Sequence, residues 1–181
     1  MLLLIAFCVV FFIQSYFYLF LFRKYTSFKQ STKLEQTSSV SIIVCAKNEA
    51  ENIKNLLPIL AQQEYCSFEL ILVDDGSTDD TLEQMYLFEK AHRDSSFKIK
   101  IVSINKNDSK GKKTALAKGI HTAQNQIILL TDADCQPTSN HWISQMSTRF
   151  SQKTEIVLGY GAYEKMNNSF LNKLIRFETL L

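Results

Sequence analysis

At 181 residues the chain is long enough for one domain with a real core. A formal charge of +2 leaves no strong basic field, which argues against nucleic acid as the main partner. The four cysteines, Cys8, Cys45, Cys66 and Cys135, lack paired metal spacing and read as reduced, packed thiols rather than a disulfide framework.

Leu2 to Phe22 is almost wholly apolar, with Gln14 and Ser15 the main interruptions. As a helix it reaches roughly 30 Å, about one bilayer hydrocarbon core. No basic residue precedes it and aromatics fill its far end, so an uncleaved anchor fits better than a cleaved signal. Arg23, Lys24, Lys29 and Lys33 follow, with no acidic residue before Glu35. The positive-inside rule then places everything after Phe22 in the cytoplasm, with Tyr16, Tyr18 and Tyr25 near the interface. Residues 2–22 are thus expected as a transmembrane anchor, 23–39 as a polar linker, and 40–181 as the cytoplasmic domain.

Within that domain, Val40 to Ala46 reads as the first strand, ending in Lys47-Asn48-Glu49. A helix follows, with Glu49 and Glu51 in its first turn, where the helix dipole favours acids. Ile53, Leu56, Leu57 and Leu60 form its apolar face, and Pro58 is expected to kink or shorten it. Phe68 to Val73 is the second strand, running into Asp74-Asp75-Gly76-Ser77-Thr78-Asp79-Asp80-Thr81. Ser77, Thr78 and Asp79 are good caps for the next helix, Thr81 to about His92, whose register is carried by Leu82, Met85, Tyr86 and Phe88 or Glu89. Phe97 to Ile104 alternates isoleucine with lysine and reads as a third strand near an edge. Asn105 to Lys113 is a basic loop with Lys106, Lys110, Lys112 and Lys113. The next helix carries Ala115, Leu116, Ala117, Ile120 and Ala123. Ile127 to Leu130 reads as a central strand covered on both faces. A helix from Pro137, Thr138 or Ser139 includes Trp142, Ile143, Met146 and Phe150. Glu155 to Leu158 reads as a further strand. From Ser169, Phe170, Leu174, Phe177 and Leu181 recur at helical spacing, with Lys173 and Arg176 between them.

Alternating strands and helices make an α/β sheet with right-handed crossovers, whose ligands gather beyond the strands' carboxyl ends. Three of those ends are polar or acidic: Asn48-Glu49, Asp74-Asp75 and Asp132-Ala133-Asp134. Adjacent carboxylates repel, so Asp74 and Asp75 are expected to divide their work. One accepts a hydrogen bond from a ligand N–H while the other holds the loop. Asp132 and Asp134 lie one residue apart, so an extended chain points both to one side. Two such carboxylates suit a hard cation, Mg²⁺ or Mn²⁺, shared with ligand phosphates; alone, the pair is better explained as a turn in which Asp caps the next helix. Lysines at a helix start oppose its dipole, which a nearby anion relieves. Gly111-Lys112-Lys113-Thr114 lacks the earlier glycine of a P-loop and does not follow the first strand.

Four stretches occur together and in order: Val-Ser-Ile-Ile-Val-Cys-Ala-Lys-Asn-Glu, Val-Asp-Asp-Gly-Ser-Thr-Asp-Asp-Thr, Gly-Lys-Lys-Thr-Ala-Leu-Ala-Lys-Gly and Thr-Asp-Ala-Asp-Cys. With them the chain resembles a membrane-anchored family 2 glycosyltransferase of Rossmann-like GT-A fold over about Val40 to Gly161. The resemblance implies that Ala46, Asn48 and Glu49 lie where the first loop meets the donor nucleotide. It gives Asp75 the base ring, uracil in many members, with Asp74 beside it. It puts Lys112 near the donor, Asp132 at the ribose and metal, and Asp134 on the metal. The implied function is metal-dependent, inverting transfer from a nucleotide-sugar donor, UDP-type favoured, to a lipid-linked or polysaccharide acceptor at the inner membrane face. The alternatives are a catalytically incomplete, membrane-tethered nucleotide-binding module and a nucleotidyltransferase, which the glycine-free Ala46-Lys47-Asn48-Glu49 disfavours. Ala117 stands where the family often has Asn. No residue after Gly161 matches the family's catalytic aspartate or its acceptor motif. The catalytic base is therefore expected beyond Leu181, the chain being a truncated form or fragment; Glu164 is the weak local candidate.

Overall fold

In the computed structural model, residues 1–22, 38–108, 111–151, 153–163, 169 and 171–173 are described. The linker with its basic cluster and Tyr25, Lys110, Glu164 and most of the helix read after Ser169 lie outside them. The chain forms two units, Met1–Lys33 and Leu34–Leu181.

The first unit contains α1, Leu2–Tyr16, continued by a π-helical stretch from Phe17 to Phe22. Leu2–Phe20 is the one helix among the described residues with the length and composition to cross a membrane, at a mean hydropathy of 2.3. None of α1 is buried, and its aromatic rings pair along it, as in Phe7 with Phe11 and Tyr16 with Phe20.

The second unit is a parallel sheet. Its strands are β1 (Val40–Ala46), β2 (Phe68–Asp74), β3 (Lys98–Ser103) and β4 (Ile127–Asp132), in the order β3-β2-β1-β4. The connecting helices are α2 (Ala50–Ala61), α3 (Thr81–Ala91) and α4 (Lys112–Thr122), with α5 (Trp142–Ser147) after β4. Every residue of β2 is buried, as is all of β1 except half-buried Cys45. These two apolar strands form the centre because helices cover both of their faces. One face, with Ile42, Val44, Leu70 and Leu72, packs on Ile53, Leu56, Leu57 and Leu60 of α2 and on Met85 and Phe88 of α3. The other, with Ile43, Ile71 and Val73, packs on Ala115 of α4. At Gly119 of α4 an added Cβ would lie 2.6 Å from Ile43 Cγ2, so the helix lies against the strand where a side chain would hold it off.

Several sequence expectations give way here. β4 is an edge strand among the described residues, and Leu130 is half exposed, because after β3 the chain crosses back over β2 and β1 to the outer side of β1. Glu155 to Leu158 is not a strand; Ile156 and Leu158 are exposed and no neighbouring strand among the described residues pairs with them. Pro58 does not end α2, which runs on to Ala61, because it removes one bond of the ladder, its own N–H to residue 54, and leaves the others. Tyr86 and Ile120 face outward rather than into the core. α5 begins only at Trp142, preceded by turns. The cysteines form no disulfide, but Cys8, Cys66 and Cys135 are exposed rather than packed.

At the amino ends of the strands, a buried carboxylate organises the turn into β4. Glu69 accepts from the Ser41 hydroxyl at 2.6 Å and the Gln124 N–H at 2.7 Å, and lies 2.8 Å from Lys100 Nζ. Burial by itself raises this carboxyl's pKa, but the hydrogen bonds from Lys100, Ser41 and Gln124 outweigh it and the net shift is downward.

Candidate nucleotide site at the carboxyl rim

The order β3-β2-β1-β4 reverses direction at β1, so the crevice between β1 and β4 is the switch point where open α/β sheets take ligands. Register sets what gathers there. Ala46 of β1 pairs with Asp74 of β2, and Cys45 pairs with Asp132 of β4. The carboxyl ends of β2 and β4 therefore flank β1 about 10 Å apart, two strand spacings. Asp74-Asp75 and Asp132-Asp134, distant in the chain, share one rim.

On the β2 side the polar groups are committed in advance. Asp74 is buried and its carboxylate accepts the Ser77 N–H at 3.2 Å. The Asp75 N–H donates to the Ala46 carbonyl at 2.9 Å, which fastens the turn to β1. Asp75 is only 4% exposed, yet its Oδ1 has no hydrogen-bond partner. A buried carboxylate oxygen without a donor is costly, and a ligand N–H would remove that cost. Asp74 thus holds the loop, and Asp75 keeps an open acceptor. Gly76 makes the turn with φ +70°, and an added Cβ would meet Lys106 Cα at 2.9 Å.

The β1–α2 loop is stitched to this turn. Asn48, at φ +56°, donates its N–H to Ser77 Oγ at 3.0 Å, and its Oδ1 accepts the Thr78 N–H at 2.8 Å. The Glu49 N–H donates to Thr81 Oγ1 at 2.8 Å, and the Ala50 N–H to Asp79 Oδ2 at 3.3 Å. Asp79 Oδ1 also accepts the Thr81 N–H at 3.1 Å. Ser77, Thr78 and Asp79, read from the sequence as caps for α3, mainly serve the neighbouring loop and α2; Asp79 caps both helices. These partners are invisible in a linear reading, because the donors lie some thirty residues away. Of the residues given to the nucleotide, Asn48 has its side chain engaged within the protein. The Ala46 side chain is buried in the α2 face, and the Glu49 carboxylate accepts from Asn52 Nδ2 at 2.6 Å.

The β4 side is open. Lys112, at the start of α4 behind Gly111, places Nζ 2.6 Å from Asp132 Oδ1, with both side chains more than half exposed. That hydrogen bond to Asp132 raises the lysine pKa, so the ammonium stays charged. Asp134 is exposed, two residues beyond. Cys45, missed in the sequence reading, lies at the strand's mouth between the two sides. Burial pushes its thiol pKa up; Lys112 opposes this, and Asp132 and Asp75 add to it. Its place one residue before the loop was the signal available.

Among the described residues no three His, Cys, Asp or Glu side chains form a ready metal cage. Asp132 and Asp134 are both exposed carboxylates of the kind a hard cation takes, and the Lys112 ammonium stands against Asp132 as a cation would, but Ala133 and Asp134 lie in a turn rather than in the extended chain expected. Mg²⁺ is commonly held this way, by one or two carboxylates with substrate phosphates and water completing the shell.

Comparison with known proteins follows this geometry. Over 100 residues the chain is 33% identical to a poly-β-1,6-N-acetyl-D-glucosamine synthase of Staphylococcus epidermidis, covering 55% of this chain and 23% of that protein. It is 36% identical over 104 residues to an uncharacterized glycosyltransferase of Synechocystis, covering 55% of this chain and 30% of the relative. The chain thus spans less than a third of the length of these relatives. A mannosyltransferase of Pyrobaculum calidifontis, solved with GDP-Man and Mn²⁺, superposes with a TM-score of 0.63 at 23% identity, covering 79% of this chain and 41% of that one, a likeness of fold. Staphylococcus aureus TarS in complex with UDP superposes at 0.51 with 26% identity over 61% of this chain and 31% of that one. The sequence profile of Glycosyl transferase family 2 matches residues 41–180, spanning the sheet and both sides of the rim, and the chain belongs to that family.

Proposed function

We propose that this chain carries the donor-binding part of a glycosyltransferase that takes a sugar from a nucleotide-sugar, UDP-type favoured. The acceptor is a lipid-linked or polysaccharide glycan at the cytoplasmic membrane face, and transfer proceeds with inversion. The observation that carries this reading is Asp75: a buried, partnerless acceptor set beside a braced loop, on the rim that also bears Asp132. A uracil ring offers an N3–H that the open Asp75 oxygen can accept. In this reading Asp74 keeps the turn rigid, Lys112 meets the diphosphate, and Asp132 with Asp134 holds the cation. That cation, Mg²⁺ or Mn²⁺, neutralises charge growing on the diphosphate leaving group. The apolar helix Leu2–Phe20 supports a membrane location. The catalytic base is not among the residues gathered at the rim.

Titration of the full chain in detergent with UDP, with and without Mn²⁺, tests the reading. Saturable binding strengthened by the metal, and lost on Asp75→Asn, is the expected result. No binding under either condition refutes it. Binding without sugar transfer favours the second reading, a membrane-tethered nucleotide-binding module.

A further inference from the structure

The amino end of α2 stands at the carboxyl end of β1, the position where dinucleotide-binding folds take a pyrophosphate on free N–H groups. Here three successive N–H groups, of Asn48, Glu49 and Ala50, are already given to Ser77, Thr81 and Asp79 of the next loop. Asp79 supplies the negative charge that a phosphate would bring to the α2 dipole. Thr81 is fully buried, and its hydroxyl both accepts from Glu49 and donates to Asp79. The arrangement does more than cap a helix. It fixes the β1–α2 loop beside Asp75 and withdraws the α2 terminus from ligand anions.

We propose that Asp79 and Thr81 are positioning residues that brace the β1–α2 loop for the nucleoside half of a bound nucleotide. This rests on the nucleotide reading above and adds residues that touch no ligand. It makes a separation of effects. The brace acts on the nucleoside half of the ligand, while Lys112 acts on the diphosphate half.

Uridine and UDP titrated calorimetrically against the full chain in detergent, well below its melting temperature, read the two halves. Thr81→Val keeps the shape and removes the hydroxyl. It is expected to weaken uridine and UDP alike, by about tenfold, the order of one or two hydrogen bonds, leaving the ratio of their affinities unchanged. Thr81→Ser restores both. Asp79→Asn, at an exposed site, moves affinity in the same direction. A general loss of stability would move the melting temperature, not the affinity of the folded fraction or its rescue by serine. A changed UDP-to-uridine ratio, or uridine binding unaffected by Thr81→Val, overturns the proposal. Hydrogen exchange gives an independent arm: the Asn48, Glu49 and Ala50 amides exchange faster in Thr81→Val than in Thr81→Ser. Unchanged exchange overturns the brace. If the native chain binds neither uridine nor UDP, the nucleotide reading fails, while the exchange measurement still decides whether the brace exists.

Discussion

The two sides of β1 are built by opposite means. On the β2 side Asp74, Asp75 and Gly76 are buried, and the loop beyond is held to its neighbour by side chains on both strands' turns. On the β4 side Asp132 and Lys112 form a pair that is more than half exposed to solvent. One side is finished before any ligand arrives; the other is loosely charged and waits for counter-ions. A rigid base with a flat hydrogen-bonding edge is recognised best by a preformed acceptor, because nothing then has to be ordered on binding. A diphosphate with its cation brings its own charge and its own ligands, so exposed groups suffice.

The sharpest way to break that contrast is Asp75→Asn. Turning the free acceptor toward a donor is expected to weaken UDP by about a hundredfold, the scale of a hydrogen bond to a charged group, with no fall in melting temperature, since Oδ1 has no protein partner to lose. Equal UDP affinity in the variant would remove the basis for assigning the base to this side. Gly76→Ala attacks the rigidity itself. A positive φ and a 2.9 Å approach to Lys106 Cα predict a loss of about 1–3 kcal/mol in denaturant melts, the range for forced overpacking. Lys112→Met probes the open side. Its exposed pair contributes little to folding, so melting is unchanged, while UDP weakens several-fold at low salt and uridine does not. The smallest expected effect lies at the opposite rim. The Glu69 pKa is lower in the fold than in the unfolded chain, so its contribution is present above the ordinary glutamate range and lost as pH falls through the lowered value. Glu69→Gln is expected to flatten that acid limb of the stability curve, measured by melts across pH.

Much of the fold was legible because parallel strands buried on both faces need near-continuous apolar runs. Val40 to Ala46 and Phe68 to Val73 are such runs, and their bounds hold within one residue. Ile127 to Leu130 shows where that signal fails. An apolar run does not set rank within the sheet, and β4, in which only Leu129 is buried, lies at the edge among the described residues because of where the chain returns. Glu155 to Leu158 is also largely apolar but has no neighbour to pair with among the described residues, and composition alone cannot supply one. At the rim, the acidic residues announced themselves by following strands. The partner that holds Asp74 to its turn did not.

By itself the sequence determined which residues stand at strand ends and which motifs they form, since both depend on local pattern and on order along the chain. The tertiary structure alone decided that Asp74 braces while Asp75 stays open, that Asp79 and Thr81 cap a helix not their own, and that Lys112 meets Asp132. Each of these depends on a partner brought near by strand register, and register is set by packing across the whole sheet, not by neighbours in the chain.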